Sequence, residues 1–234
     1  GLILHNGKVV REINRSFYQA DVYEYPIVLF RLASGREVIA HCPADYCRLD
    51  IEDLASGEIL TASGTRSPSD FFHSRLAVSP NGRWLLSAGW HWHPLDAVYV
   101  YDIAAALADP TQLDGRGLNI APASWADECN ACFMPNGQLV VAVNGIEKND
   151  AEVAEGLPAE IQTYDLERCE KGTSVRTLER FGASMPVGSN HVLALYGHPH
   201  LVDLQSGTTV QSWPHIKSGK QPGSLLIGEE PMPP

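Results

Sequence analysis

Four times along the chain a short alternating strand ends in an aspartate. These are Asp53 in RLDIEDLASGE, Asp102 in VYVYDIAAAL, Asp165 in IQTYDLERCE and Asp203 in HLVDLQSGTT. Ahead of each stand two apolar runs split by a turn sequence: VLFRLASGREVIA, LAVSPNGRWLLSA, ACFMPNGQLVVAV and MPVGSNHVLAL. Asn81-Gly82 and Asn136-Gly137 mark hairpins, because such turns need a positive φ that Asn and Gly tolerate. Each unit reads strand, turn, strand, loop, strand ending in Asp, turn, strand. The fourth strands are GEILTAS, QLDGRGLN, SVRTLER and TTVQSWP. Such a unit cannot bury both faces alone, so neighbours stack to form a continuous core. The aspartates recur at intervals of 49, 63 and 38 residues, and the long interval carries the acidic insertion GIEKNDAEVAEGLPAE. Their expected role is to accept backbone N–H groups in the turns that follow.

These residues resemble the WD40-like β-propeller repeat family. SPNGRWLLSAG followed by VYVYDI matches that family's turn, apolar strand and aromatic-Asp pair, and the resemblance spans roughly residues 26–215. The chain departs from the pattern in having no Gly-His dipeptide where the family has one and no Trp before the repeat aspartates. The resemblance implies an all-β propeller of four-stranded antiparallel blades in a single domain over residues 1–234. Four blades are readable, at about residues 26–63, 73–118, 129–180 and 183–214. Residues 6–13 read as a closing strand, which makes five blades with an incomplete or shared last one. An open blade edge of that kind invites a partner or a homo-oligomer.

Charge and cysteine usage narrow the function. The formal net charge is −11 and no block of Lys and Arg occurs, so nucleic acid is not an expected partner. No apolar run approaches the ~20 residues of a membrane helix, so no membrane is expected. Five cysteines is an odd number, which reads as free thiols in a reducing, cytoplasmic setting. Cys129-Asn-Ala-Cys132 runs into a strand and not a helix, so it reads as small residues at a strand start. There is no G-x-S-x-G elbow, P-loop, H-E-x-x-H or dinucleotide fingerprint.

Connectivity then separates two faces. In a propeller, loops between the second and third strands of a blade share one face with the loops between blades. Seven of the nine histidines fall in these loops: His41, His73, His91, His93, His198, His200 and His215. Loops on a rigid scaffold are where binding concentrates, and aromatic and histidine side chains supply contact area with polar tips. The candidate binding face is therefore His41, Asp45, His73, His91, Trp92, His93, Trp125, Asp127, His198 and His200. His73 stands near the family's structural histidine and also reads as an internal hydrogen-bonding group. His91 and His93 alternate around Trp92 and could join His198 or His200 at a metal, but no metal and no cofactor are expected. The expected function is a non-enzymatic module that binds a protein or small-molecule ligand, with binding that varies between about pH 5 and 8. The alternative is a hydrolase or lyase with a His/carboxylate site on the same face, metal-dependent or not.

Overall fold

The computed structural model of the chain describes residues 1–20, 23–91, 95–121, 129–143 and 159–219. An N-terminal hairpin of β1 (Leu2–His5) and β2 (Lys8–Glu12) precedes four antiparallel sheets. Sheet I contains β3 (Ile27–Arg31), β4 (Glu37–His41) and β5 (Asp50–Asp53). Sheet II contains β6 (Phe72–Val78), β7 (Trp84–His91), β8 (Leu95–Asp102) and β9 (Leu118–Ala121), with helix α1 (Ile103–Ala108) after β8. Sheet III contains β10 (Cys129–Phe133), β11 (Leu139–Val143), β12 (Ala159–Asp165) and β13 (Glu170–Thr177). Sheet IV contains β14 (Ser184–Val187), β15 (His191–Ala194), β16 (His200–Asp203) and β17 (Thr209–Ser212). In every sheet the strands lie in chain order.

Alternation along each strand makes the stack. On β7 and β8, Leu85, Tyr99 and Tyr101 pack against Val38, Ala40 and Ile51 of sheet I. Their sequence neighbours Leu86, Val98 and Val100 point the other way, onto Phe133, Leu139 and Val141 of sheet III. Val140 and Ala142 of sheet III then meet Val192, Ala194 and Val202 of sheet IV. A period of two thus supplies an apolar face to both neighbours. The first strands of successive sheets lie side by side, β3 near β6, β6 near β10 and β10 near β14.

The repeat aspartates anchor the turns after their strands. Ser56 N–H donates to Asp53 at 2.7 Å, Ala105 N–H to Asp102 at 3.0 Å, Glu167 N–H to Asp165 at 3.0 Å and Ser206 N–H to Asp203 at 2.8 Å. The hairpin residues opposite reinforce two of them: Arg36 Nε is 2.5 Å from Asp53 and Arg83 Nε is 3.1 Å from Asp102. Arg36, with the Ser56 hydrogen bonds, holds the Asp53 carboxyl well below the usual range. The Ser206 groups depress Asp203 in the same way.

Three segments differ from the sequence reading. GEILTAS does not complete a fourth strand in sheet I and makes only a bridge, Glu52 to Ile59. Beyond it the side chain of Thr61 takes the Ile51 N–H at 3.0 Å, so the ladder ends there. Between β8 and β9 the chain winds into α1 and a 3₁₀ turn, Pro110–Leu113, before the strand at Leu118–Ala121. Ile-Ala-Ala-Ala-Leu-Ala favours helix, and Asp102 caps it, so the repeat aspartate doubles as an N-cap. Within residues 6–13, Lys8–Glu12 pairs with Leu2–His5, not with sheet IV. Asn6 and Gly7 both have positive φ, 50° and 74°, and the local hairpin they permit forms at short range. Its link to sheet I is Arg11, which pairs with buried Glu52 and reaches the Leu54 carbonyl.

Candidate functional site

Strand register gathers the loops that the sequence singled out. Ile27 pairs with His41, Phe72 with Trp90 and Ser184 with Ala194, so each sheet begins its first strand beside the end of its second. The segments preceding β3, β6 and β14 therefore start beside the ends of β4, β7 and β15.

At sheets I and II this end carries a column of four aromatic rings. Trp90 stacks on Phe72 with centroids 4.1 Å apart and planes within 3°. Phe72 stacks on Tyr46 at 4.1 Å, and Tyr46 meets Tyr18 at 5.1 Å. Tyr23 packs edge-on against Phe72 at 5.3 Å. Offset and edge contacts of this kind add to the area term. Phe72 is fully buried inside the column, whereas Tyr18 at its outer end is 48% exposed and the adjacent Phe17 is 85% exposed. Gly89 makes the column possible. A Cβ there would fall on the Phe72 carbonyl oxygen and 2.7 Å from Phe71 Cζ.

Polar groups fix the column's rim. Tyr46 OH donates to Asp70 Oδ1 at 2.6 Å, and burial together with that carboxylate pushes the phenol's pKa up. His91 spans the Asp70 carbonyl, 2.9 Å from Nδ1, and the Tyr99 hydroxyl, 2.5 Å from Nε2. A carbonyl only accepts, so Nδ1 carries the proton and Nε2 accepts from Tyr99. His73 is buried with Nδ1 3.0 Å from Ser87 Oγ. Burial lowers its pKa to about 3, which keeps it neutral. Beneath these loops Arg66, with its side chain 1% exposed, joins Asp50 at 2.9 Å to Asp114 at 2.5 Å and donates to the Leu49 and Thr61 carbonyls.

The sequence-predicted residues divide into groups. His73 and His91 belong to the rim just described. His41 is buried at the end of β4 with Nε2 2.8 Å from Glu52, which Arg11 also reaches. Asp45 is exposed on the loop beside Tyr46. His198 and His200 lie at the corresponding end of sheet IV with ring centroids 5.6 Å apart, and Glu179 approaches both. Trp92, His93, Trp125 and Asp127 lie outside the described residues. Tyr46, Phe72 and Trp90 were not singled out, nor were Arg66 and Glu179. The pairing of Trp90 with Phe72 was legible in principle, since both flank the loop end of one hairpin. Glu179 lay inside a segment read as strand.

No protein-family model and no curated sequence matches this chain. Solved structures do. The propeller of Dos1 superposes with a TM-score of 0.51 at 12% identity, covering 82% of this chain and 50% of that one. The CNH domain of AfRom2 gives 0.51 at 11% identity, covering 80% and 54%. The likeness is one of fold. It is that of propeller-like stacked antiparallel sheets, and this chain spans about half the length of the chains it matches.

Proposed function

We propose that this chain is a non-enzymatic binding module, and that it recognises a protein or small-molecule ligand through the loop end of its sheets. The observation that carries this reading is the aromatic column from Trp90 to Tyr18. It is buried at Phe72 and exposed at its tip, Asp70 accepts from Tyr46 at its rim, and exposed Asp45 is the chain neighbour of Tyr46. A pre-ordered aromatic tip beside carboxylates suits a ligand with a flat apolar or cationic group, because little entropy is lost on ordering the site. The −11 charge supports a partner that is not nucleic acid. The free thiols Cys42, Cys47, Cys132 and Cys169 support a reducing, cytoplasmic setting.

The finer reading of the fold is a five-bladed ring whose last blade is incomplete or shared. Exposed apolar groups on the two terminal sheets support it: Leu29 at 58% on sheet I, and Met185 at 50% and Val210 at 51% on sheet IV. Sedimentation equilibrium distinguishes a self-associating open edge from a monomer.

The direct test of the binding reading replaces Tyr18 and Asp70 by alanine, after copurification of the untagged protein from its native cells has named a ligand. The expected outcome is a loss of affinity of tenfold or more with the fold intact. Unchanged affinity would remove the column from the function. The alternative, a hydrolase or lyase, needs an imidazole free to move a proton. His73 and His91 are poorly suited to this because their hydrogen bonds are already committed. The pairing of Glu179 with His198 and His200 is the observation that favours it.

A further inference from the structure

We propose that Glu179, His198 and His200 form a binding site for a divalent transition-metal ion of the zinc class. The three side chains come from the segment before β14 and from the turn that enters β16, and one ligand-type atom from each lies within 4.8 Å of the others.

The hydrogen bonds around His200 dictate its chemistry. Its Nδ1 lies 3.1 Å from the His198 carbonyl oxygen, which can only accept, so Nδ1 carries the proton. That leaves Nε2 as the ligating nitrogen, the arrangement found where a metal-bound histidine donates its other N–H to a backbone carbonyl. The side chain is 1% exposed and Nε2 has no hydrogen-bond partner among the described residues. A buried nitrogen in that condition costs free energy unless something occupies its lone pair.

The group facing it is a carboxylate held in place from behind. Thr209 Oγ1 donates to Glu179 Oε1 at 3.1 Å, which leaves Oε2 turned towards His200 Nε2 at 3.6 Å. This is too long for a hydrogen bond. It is close to the ~3.4 Å that separates two tetrahedral ligands with bonds of ~2.0–2.2 Å to one zinc ion. Phe181 packs edge-on to the His200 ring and limits its rotation. Two imidazoles and one carboxylate suit zinc, cobalt or nickel better than calcium or magnesium, which take oxygen ligands. Glu179 and His198 are partly exposed, so the fourth coordination position opens to solvent. That pattern belongs to sites that bind or activate a further ligand, in contrast to closed structural sites.

The competing account is a protonated His200 that forms an ion pair with Glu179 in a metal-free protein. Untagged protein, kept reduced, is dialysed against zinc and then against metal-free buffer, and its zinc content is measured. Zinc binding is also followed by calorimetry, and cobalt binding by visible absorption. One ion per chain is expected. Glu179→Gln and His198→Ala should each weaken zinc affinity at least tenfold, and Thr209→Val about tenfold through loss of the outer hydrogen bond. The imidazole ¹⁵N resonances of His198 and His200 should shift together when one equivalent of zinc is added to the wild-type protein, a readout that needs no variant to fold. Absence of saturable zinc and cobalt binding would overturn the site. So would a stoichiometric ion whose affinity is unchanged in both ligand variants, since that places it on the thiols or on other histidines. An Nε2 of His200 that stays protonated in the presence of zinc would identify the ion pair.

Discussion

Two pairs of histidines stand at equivalent ends of different sheets, and they differ in how their nitrogens are used. In sheet II, His91 gives its Nδ1 proton to the Asp70 carbonyl and receives one at Nε2 from Tyr99, while His73 is sealed against Ser87. In sheet IV, His200 donates through Nδ1 in the same way, yet its Nε2 has no hydrogen-bond partner among the described residues and faces Glu179 at 3.6 Å. Residue type and loop position are therefore shared, and the hydrogen-bond count separates structure from site. A satisfied buried imidazole stabilises the fold. His200 differs because its unsatisfied nitrogen itself faces a carboxylate that is too distant to bond it, which prepares it for a ligand.

If the histidines and polar groups beneath sheet II's aromatic column are structural, damage there should cost stability. The largest effect is expected at Arg66, the buried guanidinium that joins Asp50 to Asp114. Arg66→Ala leaves buried Asp50 with Arg48 and the Thr61 hydroxyl, and Asp114 with only the Ser67 N–H among the described residues, and should cost about 3 kcal/mol in urea unfolding. A loss under 1 kcal/mol would mean that these loops do not depend on that network. Gly89→Ala comes next, at about 1–3 kcal/mol. Its Cβ would meet the Phe72 carbonyl and the Phe71 ring, and neither can yield without disturbing the stack. Near-ultraviolet circular dichroism should report the disturbed rings as well.

His73 gives a test in pH. Its folded-state pKa, about 3, lies below the value of about 6.5 expected in the unfolded chain. Between those values the unfolded state takes up a proton and the folded state does not. Its contribution is therefore complete above pH 6.5 and lost as pH falls, with a slope of about 1.4 kcal/mol per pH unit. The depressed carboxyls Asp53, Asp102 and Asp203 have the same sign but act only below the ordinary carboxylate range, near pH 4. Unfolding measured between pH 6.5 and 4.5 separates the histidine from these carboxyls. His73→Gln should flatten that interval, and an unchanged slope would place the proton elsewhere.

How much of this was legible in the sequence follows from the range of the forces involved. The hairpins at Asn81-Gly82 and Asn136-Gly137, the strand alternation and the turn aspartates depend on residues a few positions apart, and all of these could be read. α1 is masked by the repeat pattern, which calls for a strand after Asp102 where residues 103–108 carry local helix propensity. The aromatic column joins residues 18, 46, 72 and 90, and only the packing of sheet I on sheet II brings them together. His198 and His200 were selected as loop residues, but Glu179 comes from a different connection, and no spacing rule links it to them. The state of the His200 nitrogens was unreadable for the same reason, since it depends on one carbonyl and one carboxylate fixed by the fold.

The smallest expected effect is the most discriminating. His198→Ala, measured without metal, should change stability by no more than about 0.5 kcal/mol, because the side chain is partly exposed and lies outside the apolar cluster between sheets III and IV. The same substitution should abolish most of the stabilisation gained on adding zinc, since an ion that binds only the folded state stabilises it by mass action. At zinc concentrations a hundred times its dissociation constant, that gain is about 2.7 kcal/mol. A structural histidine would give the opposite pattern, a loss without metal and no change in the response to it. Comparing His198→Ala with His73→Gln in one set of unfolding curves, with and without zinc, therefore asks directly whether the two histidine pairs differ in kind. Equal responses would reduce sheet IV's histidines to the structural class that sheet II already represents.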